Sequence, residues 1–467
     1  MTERESYRGL AWIAAIALFM QTLDATILNT ALPAISRSLN ESPLEMQLAI
    51  ISYALSVALF IPISGWLADK YGTLKMFQLA VGVFVIGSIA CAVSNTLNTL
   101  VFSRVLQGFG GALMMPVARL AIIRTVPKQH LLSVWNLMAM AGLLGPILGP
   151  ILGGWLVTYA TWHWIFLINI PIGIIGILIA GNYMSNHTVA TNKLDWVGFI
   201  LFAGGLVGVT LGLDLISERS GNHFISSAVL TLGVVLLISY YFYARRNENT
   251  LLPLSLFETR TFSIGILANL FIRLCGSGIP FLLPLMMQIV FNYSAELSGW
   301  LLAPIAISSV LMKPLVSPIL KHLGYKNTLL LTALLLSLCI AVMGFTTVDT
   351  PIWLLIALLS FYGACMSVIF TATNTLTVSE LPDHHASAGS TVLSVAQQMG
   401  IGIGIAVCSV ILGVYRDNIG EIGSQLQQSF SYTFFSVSLF GAILIWILTY
   451  LKRTDGENLQ HASKRSR

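Results

Sequence analysis

Residues 46–68 read MQLAIISYALSVALFIPISGWLA, 23 residues without a charge, and close on Asp69-Lys70-Tyr71-Gly72. A hydrocarbon core about 30 Å thick takes about 20 helical residues to cross, so this run is long enough to span a bilayer. It lacks the apolar–polar alternation of a lipid-facing strand, and irregular backbone is not tolerated in lipid, which leaves a helix. Runs of the same kind recur at about residues 9–33, 76–94, 99–123, 134–158, 163–184, 195–216, 224–244, 262–290, 298–318, 327–346, 351–374, 388–414 and 432–451. With the opening run they make fourteen.

Composition agrees. Of 467 residues 56% are hydrophobic and 9% charged, against roughly 25% charged in a soluble domain. Fourteen spans of about 20 residues account for about 280 residues and leave the rest for loops and tails. The first run follows Arg4 and Arg8, as a secretory signal would, but it is too long for one, contains Asp24 and precedes thirteen more spans. It reads as a retained helix. The five cysteines (Cys91, Cys275, Cys339, Cys365, Cys408) all lie in apolar stretches without CxxC spacing, so neither disulfides nor a metal site is expected.

The net charge of +5 is distributed as membrane topology, not as a nucleic-acid patch. With the N-terminus in the cytoplasm, seventeen Lys and Arg fall on the inside, and Arg37, Arg219 and Arg416 fall outside. Both termini are therefore expected in the cytoplasm. Tryptophans such as Trp66, Trp155, Trp164 and Trp353 lie near span ends, where an interfacial belt would place them.

A weak internal repeat is visible. Residues 317–324 (SPILKHLG) follow the tenth run as residues 65–72 (GWLADKYG) follow the second. The spacing pairs spans one to six with nine to fourteen and leaves seven and eight as an extra central pair. The expected organisation is a six-helix bundle over 1–186, two extra helices and a linker over 187–260, a second six-helix bundle over 261–454, and a cytoplasmic tail over 455–467.

No GxxxxGK[ST], HExxH or GxSxG motif occurs, and His384 and His385 lack the spacing of metal ligands on a helix. Neither an enzyme nor a cofactor is expected. The informative residues are those out of place in lipid. Asp24 lies mid-run, where an ionised group costs at least about 2.5–3.5 kcal/mol and needs a partner or a cavity. At about 1.5 Å per residue it sits roughly 13 Å from the outer end of its helix, and Arg104 enters span four by roughly 8 Å from the same side. The two depths allow pairing. Burial disfavours the charged carboxylate and the arginine favours it, a balance that suits proton coupling; a static ion pair is the alternative.

Span five carries Gly142, Gly145, Pro146, Gly149, Pro150, Gly153 and Gly154. Glycines four apart share a face that another helix can approach closely, and the prolines bend the span, so a moving element is expected. In the 65–72 segment Gly65 permits close packing, Gly72 can take a turn conformation, and Asp69 can cap a helix N-terminus or pair with a base, as a gating loop would. Arg273 lies about 20 Å along span nine from Arg260, and Lys313 well inside span ten, so an anionic cargo is a serious rival reading.

Together these residues resemble the major facilitator superfamily. Residues 65–72 resemble its loop-two signature, with Thr73 and Leu74 ahead of Lys75 as a departure from the usual pattern. Residues 104–112 (RVLQGFGGA) resemble its span-four signature, and 142–154 the span-five antiporter signature. Residues 23–33 (LDATILNTALP) and 164–173 (WIFLINIPIG) are similar to the first-span and sixth-span signatures of the fourteen-span drug:proton antiporters. The resemblance implies an all-α polytopic membrane protein of two six-helix bundles plus two central helices. It implies a monomeric, proton-driven multidrug exporter in a bacterial inner membrane, working by alternating access, with Asp24 and Arg104 in proton coupling. Small-molecule substrate, protons and the lipid bilayer are then the only partners. Asp24, Arg273 and Lys313 are the candidate substrate contacts, the last two for a carboxylate metabolite. A non-transporting sensor would be expected to have lost one of these motifs; an uptake symporter would not be expected to keep the span-five signature.

Overall fold

A computed structural model describes residues 3–189, 193–217, 223–247, 250–382, 386–420 and 422–456. Arg219, His384, His385 and the basic residues of the tail (Lys464, Arg465, Arg467) lie outside them. The described residues are almost wholly helical, in fifteen α-helices. The first seven are α1 (Glu3–Leu39), α2 (Gln47–Tyr71), α3 (Thr73–Ala92), α4 (Leu97–Thr125), α5 (Lys128–Tyr159), α6 (Trp164–Leu167) and α7 (Asn169–Tyr183). Then follow α8 (Trp196–Ser217), α9 (His223–Arg246), α10 (Arg260–Gly276), α11 (Ile279–Leu285), α12 (Ala295–Met343), α13 (Ile352–Val378), α14 (Ala386–Ile419) and α15 (Gly423–Thr449). Among the described residues thirteen helical stretches are long and apolar enough to cross a membrane, with α6–α7 counted as one and α10–α11 as another.

The count of thirteen, against fourteen apolar runs, has a simple origin. Helix α12 has 49 residues, about 74 Å at 1.5 Å per residue and so more than twice a hydrocarbon core. It breaks at Gly324, whose φ is 75°, and thus holds the tenth and eleventh runs end to end. Gly72, at the matching place between α2 and α3, has φ 99°. A left-handed residue at the same point of both halves of the repeat is what glycine there permits.

Two boundaries differ from the apolar pattern. Helix α1 runs past Pro33 to Leu39, and Ser36 Oγ donates to the Pro33 carbonyl at 2.9 Å. Helix α15 begins at Gly423, nine residues before the apolar run, with a turn that contains Gln425, Gln427 and Gln428. Arg416, which the charge pattern places in a connection, lies inside α14 and is 4% exposed.

The chain divides into two compact units, Met1–Trp196 with Tyr293–Ala303, and Val197–Asn292 with Pro304–Arg467. In the first, α1 packs along α5, α4 lies between α2 and α3, and α7 rests on α1 and α3. The α4 N-terminus is closed by a reciprocal pair, Thr99 N–H to Thr96 Oγ1 and Thr96 N–H to Thr99 Oγ1, both 3.2 Å. In the second unit α10 packs on α13, α14 and α15. Helices α8 and α9 meet where Gly208 and Gly233 leave no room for a side chain on either, the close approach expected of small residues in lipid. Arg260, at the start of α10, donates from Nη2 to both carboxylate oxygens of Asp455 at 2.6 and 2.8 Å, tying that end to the segment after α15.

Candidate functional site

Polar side chains inside apolar helices must find each other, because lipid offers them nothing. In the first unit they converge on Asp24. Its Oδ2 accepts from Arg104 Nη1 at 2.6 Å, and its Oδ1 from Gln107 Nε2 at 2.7 Å and Asn169 Nδ2 at 3.1 Å. Arg104 and Gln107 stand three residues apart on one face of α4, where an i, i+3 pair meets, and Arg104 Nη1 also donates to Gln107 Oε1 at 2.7 Å. Gln107 Nε2 reaches Ser88 Oγ of α3 at 2.8 Å, and Arg104 Nε donates to the Ala49 carbonyl of α2 at 3.0 Å. The guanidinium lies over the Tyr53 ring at 4.3 Å.

Five helices therefore close on one carboxylate, and Asp24, Ser88, Arg104, Gln107 and Asn169 are each at most 1% exposed. A charge buried this far is tolerated only when paired and hydrogen-bonded; removal of one partner of such a pair typically costs about 3–5 kcal/mol. Asn169 Oδ1 is buried with no partner. The two ends of a carboxamide exchange places when it turns over, which would present that oxygen to Asp24 in place of the amide nitrogen. The sequence pattern points to Asp24 and Arg104; Gln107 and Asn169 lie within the quoted 104–112 and 164–173 segments with no role of their own, and Ser88 is signalled only as a polar residue inside an apolar run.

The glycines of α5 face a ladder of threonines on α1. A Cβ at Gly145 would collide with Thr22, one at Gly149 with Thr26, and one at Gly153 with Ile27 and Thr30. Both sets recur every fourth residue, so each makes a straight stripe. Thr26 Oγ1 donates to the Gly145 carbonyl and Thr30 Oγ1 to that of Pro150, both at 3.3 Å. Gly142 sits against Leu18, and Gly154 against the backbone of Ala295 and Glu296 at the start of α12. Pro146 and Pro150 lie inside α5, where each removes a backbone donor.

At the end of α2, Asp69 Oδ1 accepts from Arg124 Nη2 of α4 at 2.5 Å, so it pairs with a base and does not cap a helix. The chain after α7 lies along this loop. Val189 N–H donates to the Asp69 carbonyl at 2.8 Å, Thr73 Oγ1 to Ser185 O at 2.8 Å, and Lys75 N–H to Asn186 Oδ1 at 3.2 Å. A Cβ at Gly72 would run into Asn186. Gly65 differs from expectation: it is exposed, and nothing lies within 4 Å of where its Cβ would stand, so no close packing demands glycine there.

In the second unit Arg273 projects from α10 over the Phe370 ring of α13 at 4.2 Å. Its Nε is buried and donates to nothing, and among the described residues it makes no ion pair. Lys313 is exposed on α12. Among the described residues no cluster of His, Cys, Asp or Glu could hold a metal ion.

The model of the Major Facilitator Superfamily matches residues 14–405. The chain is 58% identical to a Haemophilus influenzae protein provisionally named "transport protein HsrA", over 98% of this chain and 99% of that one. It is 40% identical to an Escherichia coli protein provisionally named "multidrug resistance protein MdtD", over 97% of each. Among solved structures it resembles a D-xylose-proton symporter at TM-score 0.69 and 12% identity, covering 96% of this chain and 98% of that one. It also resembles the nucleoside transporter NupG at TM-score 0.65 and 13% identity, covering 95% and 100%. These two likenesses are of fold alone. The chain belongs to the major facilitator superfamily, and within it to the fourteen-span drug:proton antiporter family.

Proposed function

We propose that this multi-pass membrane protein is a proton-driven exporter that carries small amphipathic organic compounds out across a bacterial inner membrane by alternating access. The observation that carries the reading is the enclosed set of Asp24, Arg104, Gln107 and Asn169. One acid is held by one base and two amides, so a proton on Asp24 cancels the attraction that holds Arg104. A group whose charge state decides how helices are bound together is suited to link proton binding to a change of conformation. The glycine–threonine seam of α1 and α5 supports this, since it packs without large interlocking side chains. A membrane potential adds about 2.3 kcal/mol per charge per 100 mV, enough for one or two protons to drive substantial accumulation. In this reading both termini face the cytoplasm, Asp69 and Arg124 latch the cytoplasmic ends of α2 and α4, and a monomer suffices.

The test is proton flux by purified protein in liposomes under an imposed pH gradient, on addition of a lipophilic cation or a tricarboxylate. Asp24→Asn is expected to abolish substrate-dependent proton movement while the protein still inserts. Undiminished coupling in that variant removes Asp24 from the mechanism. A second reading, export of an organic anion, is favoured by one observation: the guanidinium of Arg273 has no acidic partner among the described residues.

A further inference from the structure

Arg273 is a cation within a membrane-spanning helix that the coupling network does not use. Its surroundings are specific. The guanidinium carbon lies over the Phe370 ring, with Cζ 4.2 Å from its centroid. The aliphatic stem lies against α14 at Gly400, where a Cβ would come within 2.6 Å of Arg273 Cβ. Ser277 Oγ donates to the Arg273 carbonyl at 2.5 Å and so does not serve the side chain. What remains is an edge: Nε–H, buried and without an acceptor. Nε and its neighbouring Nη make the side-on fork that fits the two oxygens of a carboxylate in one plane. The ring and the Gly400 contact hold the side chain in place before any ligand arrives, so less freedom is left to lose on binding.

A second polar feature lies one helical turn away. Asn374 is four residues after Phe370 on α13 and Gln397 three before Gly400 on α14, spacings that keep each on the face of its helix next to Arg273. Gln397 Nε2 donates to Asn374 Oδ1 at 3.0 Å. Arg273, Phe370, Asn374 and Gln397 are all partly exposed, unlike the sealed residues around Asp24. An arginine with an unused Nε donor, beside a ring and an amide pair whose side chains are only partly covered, has the makings of a binding site.

We propose that Arg273 and Phe370 form a cargo-binding subsite for organic carboxylates with an apolar body, the carboxylate seated on Nε and Nη of Arg273. The inference rests on the reading of this chain as a transporter of small organic molecules, but binding at the subsite needs no proton gradient.

That independence sets the experiment. Binding of naphthoate and of its uncharged isostere naphthamide is measured by titration calorimetry on the purified full-length protein in detergent, with no pH gradient. The wild type is expected to bind naphthoate more tightly than naphthamide. Arg273→Gln is expected to weaken naphthoate by about tenfold or more, the size of a lost charge-assisted hydrogen bond, and to erase the preference. Arg273→Lys keeps charge and stem without the planar fork, and an intermediate affinity is expected; it carries the test if the glutamine variant fails to fold. Naphthoate bound equally by wild type and Arg273→Lys overturns the fork, and equal affinity for naphthoate and naphthamide in the wild type overturns the subsite. Failure of the proton reading would appear instead as intact coupling in Asp24→Asn, which leaves these binding results untouched.

Discussion

Each of the two units sets an arginine over an aromatic ring within a membrane-spanning helix, and they treat it in opposite ways. Arg104 is 1% exposed, and its Nη1 and Nε are engaged by Asp24, Gln107 and the Ala49 carbonyl. Arg273 rests on one aromatic ring and leaves its Nε without an acceptor. Both have an aromatic face beneath them, Tyr53 at 4.3 Å and Phe370 at 4.2 Å, so cation–π contact does not separate them. The separating feature is the anion. Where the protein supplies the anion, the arginine becomes part of the helix packing; where it supplies none among the described residues, the guanidinium keeps an unused donor.

Truncating both arginines breaks this comparison most directly. Arg104→Ala strands the Asp24 carboxylate in a sealed site, and a loss of about 3–5 kcal/mol is expected, seen as a large fall in melting temperature. Arg273→Ala strands no carboxylate and removes a buried donor that was unsatisfied. Its melting temperature is expected to stay close to wild type. If the two variants melt alike, the contrast between a structural and a recognition arginine is wrong.

Gln107→Leu sharpens the first half of the comparison. The change removes one of two amide donors to Asp24 Oδ1, the bond to Ser88 and the acceptor that Gln107 Oε1 offers Arg104 Nη1, and keeps the ion pair with Arg104. A loss of about 1.5–3 kcal/mol is expected, the scale for hydrogen bonds to a charged group. Thermal melting checks this. A change within error would mean that Asn169 alone suffices to hold that oxygen.

How far the sequence foretold these sites follows from the physics of each. Span positions were legible because lipid demands long apolar runs, and the Asp24–Arg104 pair because helical rise fixes depth. Depth does not fix azimuth. That Asn169 and Ser88 face the same point, and that Thr22, Thr26 and Thr30 meet the glycines of α5, depends on how helices rotate against one another, which no single run encodes. The polar first turn of α15 escaped hydropathy for a related reason, since glutamines at a helix end contribute nothing to an apolar run. Gly72 and Gly324 were found by their local pattern alone, and their positive φ values follow from it. Gly65 matched the same pattern without any close contact, so likeness to a signature did not identify the packing. Arg124 counted only as a charge for topology until its bond to Asp69 placed it.

That bond offers the mildest test, and it extends the comparison to a third arginine. The Asp69–Arg124 pair is short, at 2.5 Å, but the side chains are 29% and 23% exposed. Solvent weakens such a pair, and exposed ion pairs contribute about 0–1 kcal/mol. Asp69→Asn is therefore expected to lower stability by less than about 1 kcal/mol, and by less still in concentrated salt, because screening acts on partly exposed charges. The Asp69 backbone carbonyl still receives Val189, so the docked segment after α7 is expected to stay in place. A double-mutant cycle with Arg124→Gln isolates the pair from the loop around it. A coupling energy near that expected for Asp24 with Arg104 would show that exposure does not rank these arginines. A small one, with transport slowed more than stability falls, would make the pair a latch whose charge serves movement and not the fold.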